Sequence, residues 1–410
     1  MKMKLIGNAV VGQSGGPTAA INATLAGVIE GCAELCELGL IGKLYGMKNG
    51  IEGLLNEALC DLTPLFNSSD RELLKVTPAA ALGSCRRRLK SHDVDGATYE
   101  RLLEIFKKYD IRYFFYIGGN DSMDTVYKLS EYAKGQSYEL RVIGVPKTID
   151  NDLQATDHTP GFGSAAKYIA TSVKEMRRDV SVYQVKAVTI VEIMGRDAGW
   201  LTAASALPNI TGDGPDLIYL PERAFSFESF IEDVNEVLKT KPAVLVCVSE
   251  GIRFADGRYV AASGAAADGF GHVQLSGAGK VLEHLVKEKI GCKVRSVELN
   301  LPQRCASHIA SLTDINEAVG VGKSAAHLAK DGKSGVMATI LRKPGESYSA
   351  EFGYADISLI ANEVKGVPVA YINERGNGIT KEGIDYILPL IVGEVNIPYE
   401  NGLPKHFKID

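Results

Sequence analysis

At 410 residues the chain is too long for one ordinary hydrophobic core, so two lobes are expected. Its 45% apolar and 23% charged residues are ordinary for a globular protein, and a net charge of −5 argues against a nucleic-acid partner. No apolar run approaches the roughly 18 residues that span a bilayer, so no membrane partner is expected. Met1-Lys2-Met3-Lys4 is followed by too short an apolar segment for a secretory signal. The seven cysteines (Cys32, Cys36, Cys60, Cys85, Cys247, Cys292, Cys305) are odd in number, and several lie in apolar runs, which predicts reduced structural thiols and a cytoplasmic location. Cys32 and Cys36 sit one helical turn apart, but no His or Cys pair completes a zinc set. Asn209-Ile210-Thr211 matches a glycosylation acceptor, which carries no meaning without secretion.

In chain order, Asn8 to Gly12 reads as a short apolar strand, broken by Gln13-Ser14-Gly15-Gly16-Pro17-Thr18 before a helical pattern from Ala19 to Leu38. A strand, a glycine turn and a helix start make an anion site, because free backbone N–H groups point out of the turn. Many strand-to-helix turns contain glycine, so this signal alone is weak. Lys43 to Leu55, with glycines at 46, 50 and 53, reads as a looped connection. In Leu82-Gly83-Ser84-Cys85-Arg86-Arg87-Arg88 three arginines follow a Gly-Ser turn; they read either as a solvated face or as planar donors to a phosphate. Thr98 to Lys108 is an amphipathic helix and Ile111 to Ile117 a strand. Gly118-Gly119-Asn120-Asp121-Ser122 then repeats the glycine junction before a helix from about Met123 to Ala133. Asp121 there is an ordinary helix cap or, alternatively, a group addressing a metal-bound phosphate.

Leu140 to Val145 is a buried strand, stopped by Pro146, and Lys147-Thr148-Ile149-Asp150-Asn151-Asp152 hangs from its carboxyl end. Ligands of open α/β sheets sit at that end. One ammonium and two carboxylates suit an anionic substrate that must also lose a proton, although a solvated turn has a similar composition. Phe162 to Val180 is helical. Three further strands, Val188 to Ile193, Ala243 to Val248 and Val294 to Leu299, end in Met194-Gly195-Arg196, Ser249-Glu250-Gly251 and Asn300-Leu301-Pro302-Gln303-Arg304. Strands alternating with helices predict an α/β fold with mostly parallel sheets. Polar residues at five strand ends favour one polar cleft over five independent caps. Ala261 to Gly279, rich in glycine and alanine, reads as a mobile loop.

Taken together, Gly15, Arg86, Gly118 to Asp121, Lys147 to Asp152, Met194 to Arg196, Glu250, Arg295 and Arg304 resemble the phosphofructokinase family over nearly the whole chain. Pro-Lys-Thr-Ile-Asp-Asn-Asp and Met-Gly-Arg are specific in combination. The resemblance implies two Rossmann-like lobes with the active site in the cleft between them. Residues 1–160 and 305–370 would form a larger donor-binding lobe, and 161–304 with 371–410 a smaller sugar-phosphate-binding lobe. It implies phosphoryl transfer to the 1-hydroxyl of fructose 6-phosphate. Asp150 matches the general base, and Thr148, Asp152, Met194, Gly195, Arg196 and Glu250 match sugar-binding residues. Arg295 and Arg304 match a phosphate clamp, Arg86 an arginine on the transferring group, and Gly15 and Gly119 backbone cradles for the donor.

The donor is decided at two positions. Where the ATP-using branch has Gly-Gly-Asp-Gly and Pro-Gly-Thr, this chain places Asp121 and Lys147. Asp121 opposes the α-phosphate of a nucleotide; two like charges about 4 Å apart repel by roughly 4 kcal/mol at an effective dielectric near 20. Lys147 adds a cation where the transferring group carries charge. Both resemble the pyrophosphate-dependent branch, which implies reversible transfer from pyrophosphate with Mg²⁺ as cofactor and a homodimer or homotetramer. Three departures remain. Asn120 stands at a metal-holding Asp and is taken as an uncharged metal ligand; Ala187 replaces an arginine shared between subunits, with Lys186 adjacent; Leu301 replaces a sugar-phosphate-contacting His. An ATP-dependent 6-phosphofructokinase and a catalytically silent sugar-phosphate-binding subunit are the alternatives. Sedoheptulose 7-phosphate stays open as a second substrate.

Overall fold

A strand that is apolar on both faces must be covered on both, and five strands of this chain are buried along nearly their whole length. The computed structural model describes residues 4–182, 184–261 and 277–409. Along the chain, β1 (Gly7–Gln13) leads into α1 (Ile21–Glu37), β2 (Ile41–Met47), α2 (Gly50–Leu55), β3 (Leu59–Asp61), α3 (Asp70–Lys75), α4 (Gly96–Lys108), β4 (Ile111–Gly118), α5 (Asn120–Lys134) and β5 (Arg141–Pro146). Helix α6 (Phe162–Val180) crosses to β6 (Ala187–Ile193), α7 (Trp200–Ala204), β7 (Leu217–Tyr219), α8 (Phe227–Leu238), β8 (Ala243–Ser249), α9 (Ala278–Lys289), β9 (Lys293–Glu298) and α10 (Pro302–Cys305). Helix α11 (Leu312–Lys330) carries the chain back to β10 (Val336–Arg342) and β11 (Ala350–Asp356), and α12 (Lys381–Ile387) follows.

Two sheets result. The seven-stranded sheet has the order β11-β10-β5-β4-β1-β2-β3, parallel except for β3 and β11 at its edges. The four-stranded sheet, β7-β8-β6-β9, is parallel throughout. Each lies between two hydrophobic layers. Ile21, Leu25 and Val28 of α1 and Val321 and Ala325 of α11 fill one side of the larger sheet, and Leu102 and Phe106 of α4 with Met123 and Val126 of α5 fill the other. Phe162 and Ile169 of α6 cover one face of the smaller sheet, joined by Ile372, Ile387 and Leu390 from the C-terminal segment; Phe230, Val234 and Leu282 cover the other. The fold is α/β with two lobes and mostly parallel sheets.

Glycines set the closest approach in the first layer. A methyl group at Gly27 of α1 would lie 2.0 Å from the carbonyl oxygen of Val319, and one at Gly322 of α11 2.2 Å from that of Thr24. The two helices therefore meet backbone against backbone, behind the strand that carries the first glycine turn. The same logic corrects the loop expected over Lys43 to Leu55, which is β2 followed by α2. A methyl at Gly46 would meet Leu82 at 2.5 Å and Cys60 at 2.9 Å, so this glycine makes room for neighbours and does not mark a loop. The mobile loop expected from Ala261 to Gly279 lies, over residues 262–276, outside the described residues, and Ala278 and Gly279 open α9.

Candidate active site

Carboxyl ends of both sheets line one cavity of about 440 Å³. In the larger sheet the order reverses at β1, which is followed in sequence by β2 on one side and paired with β4 on the other, and that switch point is where a crevice opens. Gly16, Pro17 and Thr18 reach the cavity from β1, Lys147 to Asp150 from β5, Met194 and Arg196 from β6, Glu250 from β8, and Leu301 and Arg304 from beyond β9.

The β1 turn is fixed from three sides. Ser14 N–H donates to the Ile117 carbonyl at 2.9 Å, Gly15 N–H to that of Cys85 at 3.1 Å, and the Ser84 hydroxyl to that of Gly15 at 2.6 Å. Gly15 has φ +78, a conformation that glycine adopts without strain. A side chain there would crowd Lys147, whose Nζ lies 3.4 Å from the position of a methyl; at Gly16 the equivalent neighbour, also at 3.4 Å, is the Arg304 guanidinium.

Lys147 is 3% exposed, and its ammonium donates to the Gly16 carbonyl at 2.7 Å. Burial pulls its pKa down to about 8, against the opposing charges of Asp150 and Asp152 and with the help of Arg86 and Arg304. Arg304 is in turn held below its ordinary value by burial and by Arg86. Three cations thus converge on the β1 turn, each within electrostatic reach of another. Mutual repulsion of this kind is relieved when an anion lies between the groups.

Asp150 stands three residues on. Its N–H donates to Thr148 Oγ1 at 3.1 Å, and that hydroxyl can donate to Asp150 Oδ2 at 3.4 Å. Burial raises its pKa, and Lys147 opposes the rise. Asp152 is pushed to about 7 by burial and by the charge of Asp150. It does not line the cavity, and its Oδ1 is buried without a hydrogen-bond partner. The loop returns through a Thr148–Gly161 bridge, and Thr159 Oγ1 donates to the Thr148 carbonyl at 2.8 Å. Its exit is held by buried Asp314, which accepts from the N–H groups of Gly161 and Ser164, both at 2.9 Å.

The opposite wall is acidic. Glu250 is pushed up to about 7 by burial, although Gly195 N–H donates to it at 3.3 Å. Gly195 has φ +135, which lets the turn after β6 aim this donor at Glu250. Sequence reading missed Glu192, Glu298 and Gln303, which also line the cavity. Glu192 accepts from Gly277 at 3.1 Å and Gly279 at 2.8 Å and so closes the start of α9. Gln303 accepts from Met194 N–H at 3.3 Å and donates to the Asn300 carbonyl at 3.0 Å. The available signal was a glutamate inside the apolar run Val188 to Ile193.

Besides Gly15, Asp152 and Gly195, four expected residues are not among those lining the cavity. Gly119 is beside the loop, 3.6 Å from the Lys147 carbonyl to the position of a methyl. Asp121, at the start of α5, pairs with Arg88 at 3.3 Å. Arg295, expected in a phosphate clamp, lies in the middle of edge strand β9 with an exposed side chain and is not among the residues lining this cavity. Asn120, expected as a metal ligand, has its amide turned onto the return chain: its Oδ1 accepts from Asn362 N–H and its Nδ2 donates to the Glu363 carbonyl, both at 2.6 Å.

Comparison with known proteins places this arrangement. A pyrophosphate–fructose 6-phosphate 1-phosphotransferase of Halomonas elongata is 44% identical over 98% of this chain and 96% of its own length. One of Xanthomonas campestris is also 44% identical, with the same coverage of both chains. The crystal structure of a pyrophosphate-dependent phosphofructokinase from Nitrosospira multiformis superposes with a TM-score of 0.88 at 40% identity, covering 98% of this chain and 96% of that one. The family model described as phosphofructokinase matches residues 8–329, a span that runs from β1 through the loop after β5 into the last turn of α11, and the chain belongs to the phosphofructokinase family.

Proposed function

We propose that the chain moves a phosphoryl group reversibly from pyrophosphate to the 1-hydroxyl of fructose 6-phosphate, giving fructose 1,6-bisphosphate and phosphate. The observation that carries this reading is the convergence of Lys147, Arg86 and Arg304 at the β1 turn, with the half-buried carboxylate of Asp150 three residues from Lys147. Phosphoryl transfer needs little else: positioned oxygens, neutralised charge and an acceptor for one proton. Asp150 takes the proton of the sugar hydroxyl as the new O–P bond forms and the bridging O–P bond of pyrophosphate breaks. Its raised pKa suits that role, because a stronger base gains more from accepting the proton. Thr148 orients it. Lys147 and Arg86 meet the charge on the transferring and leaving phosphates. Glu250, Gly195, Met194 and Arg196 address the sugar, and Arg304 its phosphate.

Mg²⁺ fits the same reading. Asp152 offers a buried, unpartnered oxygen beside Asp150, which is the kind of donor a hard cation takes. Among the described residues no three His, Cys, Asp or Glu side chains form a cage, which suits a cation carried mainly by pyrophosphate and water. When bound, it would shield the phosphate charge. We assign residues 1–160 and 305–370 to the donor lobe and 161–304 with 371–410 to the sugar lobe, with β10 and β11 in the first sheet and Ile372 and Ile387 in the second core as support. A cytoplasmic homodimer or homotetramer belongs to the same proposal. No helix among the described residues is long and apolar enough to cross a membrane.

The test is a donor assay with fructose 6-phosphate and Mg²⁺. Turnover is expected with pyrophosphate and not with ATP; the reverse result overturns the assignment. Substantial turnover by the isolated chain also removes the silent-subunit alternative.

A further inference from the structure

A second cavity lies against α5, lined by Arg88, Leu89, Lys90, Asp124, Lys128 and Asn362, and a segment of the return chain stands at it. Residues 360–365 follow β11 and cross the start of α5. Ile357 and Ile360 anchor them in the core under α5, and Val367 anchors their far end in the core of the smaller sheet. Between those anchors the segment is tied twice. On one side the Asn120 amide holds the backbone of Asn362 and Glu363, while Asn362 accepts from Arg88 at 3.0 Å and donates to Asp124 at 3.3 Å. On the other, Lys365 N–H donates to the Asp152 carbonyl at 2.8 Å, its ammonium donates to the carbonyls of Thr156 and Asp157 at 3.0 and 2.7 Å, and Gln154 donates to that of Val364 at 3.2 Å. The segment therefore spans from the donor-side helix to the catalytic loop and is held at both.

Resting on the reading of the cavity as a pyrophosphate site, we propose that residues 360–365 form the outer wall of the donor site and limit the donor to two phosphates, with Asn362 and Asn120 as specificity-determining residues. A donor whose first phosphate faces Asp150 and whose second lies against Lys147 and Arg86 must carry any further group out past the Gly119 turn, which adjoins the Lys147 backbone, and the start of α5. That exit holds the Arg88–Asp121 ion pair and, over it, the tied backbone of Asn362 and Glu363. A third phosphate or a nucleoside would have to displace a segment with core anchors at both ends. Asp121 is then one part of a two-part selector, opposing negative charge while the segment opposes length. The same hydrogen bonds explain why an asparagine stands at position 120: its amide has both a donor and an acceptor to give, and a carboxylate has no donor for the Glu363 carbonyl.

The test uses the full chain, pyrophosphate as donor, and tripolyphosphate and ADP as inhibitors competing with it. Asn362→Gly keeps the left-handed backbone, φ +67, and removes the bonds to Arg88 and Asp124; Asn120→Ala removes the backbone tie. Each variant is expected to bind tripolyphosphate or ADP at least about tenfold more tightly than wild type, the scale set by loss of one polar clasp. The KM for pyrophosphate is expected to change less than about threefold, as for a site whose inner contacts are intact. Unchanged inhibition in a variant of wild-type melting temperature overturns the proposal, as does tripolyphosphate binding to wild type as tightly as pyrophosphate. If Asn120→Ala fails to fold, Asn362→Gly, which removes only two side-chain bonds of an exposed residue, decides alone. Wild-type enzyme inert with pyrophosphate is a separate result that refutes the functional reading itself.

Discussion

The two walls of the cavity are built from equivalent parts and carry opposite chemistry. Both are ends of parallel strands followed by short turns. The wall from the larger sheet is cationic and tightly tied: Lys147 is bonded to Gly16, the β1 turn has three backbone or hydroxyl ties, and the loop after β5 is held at Asp314. The wall from the smaller sheet carries the carboxylates Glu192, Glu250 and Glu298 beside the guanidinium groups of Arg196 and Arg304, and its ties include backbone amides donated to carboxylates. In the proposed function the difference follows from what each wall would hold. A transferring phosphoryl group needs fixed positive charge where charge develops, whereas sugar hydroxyls need acceptors. Asp150 belongs by sequence to the cationic wall and by charge to the acidic one, and there the two meet.

Breaking that junction should have the largest effect. Asp150→Asn keeps shape and removes the proton acceptor, so turnover should fall by about 10²–10⁴-fold. Binding of fructose 6-phosphate, measured by calorimetry or fluorescence, should survive. Turnover within tenfold of wild type would reassign the base.

Next comes the cation of the tied wall. Lys147→Met should lower turnover with pyrophosphate by about 10²–10³-fold, the scale for one transition-state donor. Stability should move the other way. The folded pKa of Lys147, about 8, lies below the ordinary 10.5, so the unfolded chain binds more protons between those values and charging this group costs the fold below pH 8. Methionine removes that cost, on the order of 3 kcal/mol, and loses one hydrogen bond worth about 1 kcal/mol. The melting temperature at pH 7 should hold or rise while activity collapses. A large drop in melting temperature would show that Lys147 is structural.

The two walls also predict a pH profile. On the acid side, kcat/KM should fall below about pH 7 as the Asp150–Asp152 pair takes up a proton. On the basic side it should fall above about pH 8 as Lys147 loses one in the free enzyme. The basic limb should vanish in Lys147→Met. A basic limb that persists there belongs to another group.

How much of this was legible in sequence differs between the walls for a physical reason. The larger-sheet turns announce themselves locally: glycines, a proline stop and charged residues in a row at Gly15-Gly16 and Lys147 to Asp152. Glu192 and Gln303 do not, because each acts across the chain, one on the start of α9 and the other on the turn after β6. The partners of Asn120 were hidden for the same reason. Its sequence neighbours suggest a metal-bound phosphate, but its partners lie more than 240 residues away, at separations of 242 and 243. Arg295 sits at a strand position whose outward face only the sheet order reveals. The glycines of β2 were read as a loop because close packing and turns ask for the same residue.

The smallest expected effect tests the acidic wall by itself. Glu250 titrates near pH 7, so at neutral pH part of the population already lacks the charge that Gln would remove. Glu250→Gln keeps an acceptor oxygen toward Gly195 N–H, and the loss in kcat/KM for fructose 6-phosphate at pH 7 should be only about three- to tenfold, as for one weakened polar contact. The KM for pyrophosphate should stay unchanged, because the proposed donor site is on the other wall. Raising the pH enlarges the charged fraction of the wild type, so the gap between wild type and variant should widen from pH 6 to pH 7.5, about the span of this titration. A gap that stays constant across that range would mean that the charge of Glu250 does not reach the sugar, and its role would reduce to holding the Gly195 turn.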